Sequence, residues 1–203
     1  MTDLDGVIRH WDNKALFKFE RDNGLEEGFL FSHAFKEAFL DPAIKGEVSH
    51  EVWLENVAMS LKNNNEAGDR HVSLVHELLG QWQKSPFELN LALFDECQNI
   101  FPGTPVVLAT NATTRLTDDI SNTGLPERLN RIFNSSDIGN AKPDLAFFEY
   151  ALTELHCAPD EVAFIDDQTE NVDAAKILGI HSFLFTSLSA LSAELINLRS
   201  RIS

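Results

Sequence analysis

Downstream of Pro86 the chain repeats one arrangement, a short strand-like, largely apolar stretch next to a stretch of helical periodicity. The strand-like stretches are the continuous apolar run at residues 105–109, the brief Arg131-Ile132-Phe133, residues 161–165 and Ser182-Phe183-Leu184-Phe185. Helical patterns cover residues 93–100, 144–156, 172–178 and 188–199. A strand that is apolar on both faces has to be covered on both, and strands separated by helices run parallel. The alternation therefore predicts an α/β fold built on a doubly wound parallel sheet.

Upstream of Pro86 the texture is different. From Asn13 to Gln83 the spacing is helical and no convincing strand stands out. Leu16, Phe17 and Phe19 open a first helix, and Phe31, Ala34, Phe35, Ala38 and Phe39 stripe a second. Ser49 is placed to cap a third with Val52, Trp53, Val57 and Leu61 on one face, and Val72, Val75, Leu79 and Trp82 mark a fourth. A polar loop, Asn63-Asn64-Asn65-Glu66-Ala67-Gly68, separates these last two. The expected organisation is a core of residues 1–11 and 86–203 interrupted by an all-helical insert of residues 12–85.

The 203 residues suffice for one domain carrying such an insert. With 16 Lys+Arg against 32 Asp+Glu, the formal net charge of -16 argues against a sequence-general nucleic-acid binder and against docking on anionic lipid. A small phosphorylated ligand is compatible with that charge, because local N–H groups and one lysine can hold a phosphate. Cys97 and Cys157 are too few for a metal framework and read as buried thiols of a reducing compartment. No leader follows Met1 and no apolar run reaches the roughly 18 residues of a membrane span, so a cytoplasmic protein is expected, as a monomer or weak dimer.

In doubly wound sheets, functional side chains collect beyond the carboxyl ends of the strands. At such positions this sequence has Asp3-Leu4-Asp5-Gly6-Val7-Ile8, Thr110-Asn111, Lys142-Pro143 and Asp166-Asp167, with Asn171 shortly after. Each piece alone has a bland reading: a turn, a helix cap, a proline in a first helical turn, a solvated acid pair. Together they gather acidic groups, a hydroxyl and a lysine at strand ends, which suits a magnesium ion and a phosphate.

These four segments, in this order, resemble the four motifs of the haloacid dehalogenase superfamily, and the likeness covers nearly the whole chain. It implies a Rossmann-like core with a small helical cap inserted after the first motif. Lys45-Gly46-Glu47-Val48-Ser49 and residues 164–171 are similar to the subgroup with sugar-phosphate phosphatases and the phosphatase domain of soluble epoxide hydrolases. The resemblance implies Asp3 as nucleophile and Asp5 as general acid and base. Thr110, Asn111 and Lys142 would bind phosphate. Magnesium would be held by the carboxylates of Asp3 and Asp167 and the backbone carbonyl of Asp5, with Asp166 and Asn171 in support. The substrate expected from this likeness is a small phosphorylated metabolite.

Asp5 argues against a dehalogenase, which needs neither metal nor acid there. A phosphosugar mutase stays open, although Ala15 stands about where its cap would supply a histidine. A catalytically impaired phosphate- or metal-binding scaffold stays open as well. A signalling receiver domain would place its acidic pair before the lysine, whereas Asp166-Asp167 follow Lys142. Of the histidines, His10, with Trp11, is expected at the mouth between core and insert, and the others in exposed or capping roles. Only Met1 and Thr2 precede Asp3. The first strand is therefore expected to continue upstream or to leave a gap, with its amino group near enough to Asp3 to compete for metal or phosphate.

Overall fold

The computed structural model describes residues 1–62 and 71–202. The strands of the core are β3 (Val107–Thr110), β4 (Arg131–Asn134), β5 (Ala163–Asp166) and β6 (His181–Leu184), paired in parallel as β3 with β4 and β5 with β6. The opening residues join the two pairs. Thr2 bridges in parallel to both Leu108 and Ile165, with its N–H on the Val107 carbonyl at 2.9 Å and Asp3 N–H on the Ile165 carbonyl at 2.8 Å. The sheet thus runs β4, β3, residues 1–3, β5, β6, which is the parallel sheet that the apolar runs predict. Helices cover both of its faces, completing a Rossmann-like core.

Alternation along the strands feeds two separate cores. Val107, Ala109 and Phe164 pack with Phe147, Phe148 and Ala151 of α9 (Leu145–Leu155) and Ala174 and Ala175 of α10 (Thr169–Ile177). Leu108 and Ile165 turn the other way, onto Leu93 and Phe94 of α6 (Ala92–Ile100) and Leu191 and Leu195 of α11 (Leu188–Ile202). Burial on both faces explains why the central strands β3 and β5 read as apolar runs.

At the foot of the sheet, behind Met1 and Thr2, lies a cavity of about 220 Å³ lined largely by apolar side chains, with Cys97 and Cys157 among them. Both thiols are free and half-buried, and burial pushes the Cys97 thiol up. The amino group of Met1 donates to the Ala163 carbonyl at 2.6 Å, and burial lowers its pKa to about 6. The expectation that it would reach the metal or phosphate is therefore corrected. It belongs to the amino end of the sheet, and the Asp3 side chain to the carboxyl end.

The insert is a cap of five helices among the described residues: α1 (Lys14–Asp22), α2 (Phe29–Ala34), α3 (Glu37–Ile44), α4 (His50–Lys62) and α5 (His71–Gln83). It owns a third core, with Leu16, Leu30, Trp53, Val57, Leu61 and Leu78 buried together. The stripe from Phe31 to Phe39 is two helices rather than one. Lys36 is extended at φ -60, ψ 132 and starts α3, which leaves Phe35 half exposed at the break. Val52 is exposed instead of sharing the face of Trp53. The Asn63 to Gly68 loop and the Val72 side chain lie outside the described residues.

A buried glutamate ties the first two helices. Glu20 of α1 accepts the N–H groups of Gly28 at 2.7 Å and Leu30 at 2.8 Å, satisfying donors at the start of α2 that have no partner within the helix. Where the chain crosses between core and cap, β1 (Arg9–Trp11) and β2 (Phe87–Leu89) pair antiparallel, Trp11 opposite Phe87 and Arg9 opposite Leu89. Three-residue strands carry too little alternation to be seen in a sequence.

Candidate active site

Asp3 ends the central segment of the sheet, Thr110 ends β3 and Asp166 ends β5, so all three reach the same carboxyl edge. Lys142, which lies before α9, extends its ammonium group between two carboxylates. Its Nζ is 2.8 Å from Asp3 Oδ1 and 2.6 Å from Asp166 Oδ2, with the lysine side chain only 1% exposed. Carboxylate oxygens of Asp3, Asp166 and Asp167 lie within 4.8 Å of one another. Burial raises the Asp3 pKa to about 6 against the opposing pull of Lys142. Burial and the charge of Asp166 raise that of Asp167.

The two neighbouring aspartates differ in what they already hold. Asp166 accepts from Lys142, from Gln168 N–H at 2.8 Å and, at both oxygens, from Asn171 Nδ2 at 3.1 Å. Both of its oxygens thus accept hydrogen bonds from the protein. Asp167 receives one bond from Gln168 Nε2, while its Oδ1 is buried without a partner. A buried oxygen left in this state is costly unless a cation completes it. Three carboxylates beside one ammonium, all oxygen donors and one of them orphaned, fit a hard divalent cation such as magnesium. Gly6 makes room for the group. Its φ is +88, and a Cβ there would sit 2.2 Å from Asp167 Oδ2.

Asn111 spends its side chain on the backbone of Lys142, donating to the carbonyl at 2.7 Å and accepting the N–H at 2.9 Å. The lysine is thereby fixed from the strand that carries Thr110, itself 1% exposed. Asp5 stands apart from this cluster. Its Oδ1 accepts Arg9 Nε at 2.7 Å and Trp11 Nε1 at 2.8 Å, and its Oδ2 accepts Arg9 Nη2 at 2.8 Å. The structure thus brings Asp3, Lys142, Asp166, Asp167 and Asn171 into one connected group, and holds Asp5 in the segment that precedes β1.

Sequence reasoning missed several partners. Arg9 lies four residues after Asp5, a spacing visible in the sequence, yet its role depends on a turn that Gly6 closes. His50, expected to be exposed or capping, instead bridges cap and core: its Nδ1 is 2.8 Å from Thr113 Oγ1 and its N–H donates to Thr114 Oγ1 at 3.1 Å. Close by, Gly46 packs where a Cβ would meet the Ser136 carbonyl at 2.1 Å. His33 is buried in the cap, with Nδ1 2.9 Å from the Phe29 carbonyl. Strand alternation sends His10 and Glu88 to the face opposite Trp11 and Phe87, so His10 and Trp11 do not share one wall.

Residues 31–185 match the family described as haloacid dehalogenase-like hydrolase. Among curated proteins, drimenol cyclase drtB of Aspergillus calidoustus is 40% identical over 68 residues, 34% of this chain and 13% of that protein. Sesquiterpene phosphatase astK of Aspergillus oryzae is 39% identical over 64 residues, 32% of this chain and 33% of that protein. Both likenesses thus span a third or less of the relative's own length. Among solved structures, a HAD family enzyme of Bacteroides thetaiotaomicron in complex with magnesium and inorganic phosphate superposes with a TM-score of 0.69 at 16% identity, covering 91% of this chain and 92% of that one. At that identity the likeness is one of fold.

Proposed function

We propose that this chain, which belongs to the haloacid dehalogenase-like hydrolase family, is a magnesium-dependent phosphatase acting on a small phosphomonoester through an aspartyl-phosphate. The observation that carries the reading is the convergence of Asp3, Asp166 and Asp167 beside a buried lysine at the carboxyl edge of the sheet. Two comparisons support it: a relative is named a phosphatase, and a protein of the same fold was crystallised with magnesium and phosphate.

Asp3 attacks phosphorus, the P–O bond to the organic group breaks, and the departing oxygen takes a proton from Asp5. Water then attacks the aspartyl-phosphate, giving its proton to Asp5 and returning Asp3 as a carboxylate. To serve, Asp5 has to release at least one of the donors that Arg9 and Trp11 now place on it. The Thr110 hydroxyl and Asn111 N–H bind non-bridging oxygens, and Lys142 offsets their charge. The carboxylates of Asp3 and Asp167 and the carbonyl of Asp5 would hold magnesium, which when bound neutralises phosphate charge that would repel Asp3. Asp166, kept in place by Asn171, holds Lys142. The cap, residues 12–85, excludes water and sets substrate choice.

Phosphate release from p-nitrophenyl phosphate tests the reading. Release should require magnesium, stop with a chelator and be lost in Asp3→Asn. Magnesium-independent release, or equal rates in Asp3→Asn and the parent, would overturn it.

A further inference from the structure

In an in-line displacement the leaving group departs opposite the nucleophile, so the organic part of the substrate lies on the side of the general acid. What surrounds Asp5 is therefore what the alcohol meets. Trp11 places its Nε1 2.8 Å from Asp5 Oδ1 and is 40% exposed. Phe87, opposite it in register, packs edge-on with ring centres 5.1 Å apart. Arg9 lies behind this pair, its guanidinium carbon 4.6 Å from the Trp11 ring centre and its side chain only 7% exposed. Its Nε and Nη2 are held by Asp5, and its Nη1 is buried without a partner. The one donor that the two rings carry, Trp11 Nε1, is already on Asp5. The two rings present mostly carbon, so a hydrocarbon would bury against this wall while the hydroxyl groups of a sugar would gain little from it.

We propose that Trp11 and Phe87 form the seat of the leaving group and that the substrate is the phosphate monoester of an apolar alcohol. The assignment rests on the phosphatase reading and narrows it from small phosphomonoesters in general. Trp11 and Phe87 are specificity-determining residues. They touch the organic group rather than the phosphorus, so their effect grows with the alcohol's apolar length.

The test is kcat/KM for methyl, butyl and hexyl phosphate and for glucose 6-phosphate, with magnesium present. A seat that buries the chain raises kcat/KM about fourfold for each added methylene, and hexyl phosphate should exceed glucose 6-phosphate by at least tenfold. Phe87→Ser and Trp11→Ala should flatten the chain-length series, whereas Trp11→Phe, which keeps a ring and loses the N–H, should retain most of the slope. Competitive inhibition by hexylphosphonate relative to methylphosphonate gives the same comparison without turnover. A melting curve for each variant verifies folding, and the exposed Trp11 pair of variants suffices if Phe87→Ser does not fold. A flat series in the parent, or glucose 6-phosphate as the better substrate, overturns the apolar seat and leaves the phosphatase reading standing. No phosphate released from any of the esters overturns the phosphatase reading itself.

Discussion

Asp166 and Asp167 are adjacent in sequence and differ in their surroundings, because the strand end turns one fully inward and leaves the other half-buried. Asp166 is fully buried and saturated by Lys142, Gln168 and Asn171, while Asp167 keeps an unpartnered oxygen. Asp167→Asn should therefore weaken magnesium binding more than Asp166→Asn. The latter should instead cost stability, about 3 kcal/mol for opening a buried ion pair. Magnesium titration and urea unfolding of both variants check the ranking, and the reverse order would assign the metal to Asp166. Asp3 adds a pH dependence. Its pKa, raised by burial to about 6, keeps the metal-free carboxyl protonated below that value. Protonation stabilises the metal-free fold at low pH, and that contribution is lost as pH rises from about 4 through about 6. Magnesium needs the carboxylate, so its affinity should fall about tenfold per unit below pH 6, with protons released on binding. Calorimetry in buffers of different ionisation enthalpy measures both. Of these details, the acid pair was legible in the sequence. The difference in their hydrogen bonding was not legible, because the partners of Asp166 come from Lys142, Gln168 and Asn171.

Among the elements, the central strands of the core were the most readable, since burial on both faces writes an apolar run at residues 107–109 and 163–165. The pair β1 and β2 was not readable. Three residues show no period, and the pairing of Trp11 with Phe87 joins positions separated by the whole cap. The break between α2 and α3 was hidden for a different reason. Phe31, Ala34, Phe35, Ala38 and Phe39 keep a helical spacing across a residue whose backbone is extended. Glu20 was equally invisible, because a charged residue in an amphipathic helix reads as solvated until its two N–H partners on the next helix are seen. Replacing it by alanine leaves those donors without an acceptor, so Glu20→Ala should destabilise the cap by about 2–4 kcal/mol. Hydrogen exchange at Gly28 and Leu30 should accelerate with it, and exchange in β3 and β5 should not. Unchanged protection at these two amides would mean that the carboxylate is not their cap.

For the whole molecule, three separate apolar cores meet around one polar cluster, two on either side of the sheet and one inside the cap. The sheet brings Asp3, Thr110 and Asp166 to one edge whatever the cap does, and the cap reaches the core through His50 on Thr113 and Gly46 on Ser136. Such a division separates chemistry from selection. Under the proposed function the core would supply the nucleophile and its electrostatics, and the β1–β2 connection and cap would meet the alcohol. Among the described residues, no helix is long and apolar enough to cross a membrane. The central claim is that phosphorus is transferred to Asp3 before it reaches water. Acid quench of the Asp5→Asn variant with labelled p-nitrophenyl phosphate tests it directly. The good leaving group departs without an acid, and the missing base slows the second step. The account predicts label trapped on the peptide that contains Asp3, and none after Asp3→Asn. Phosphate released with no label on that peptide, or label on a different residue, would contradict it.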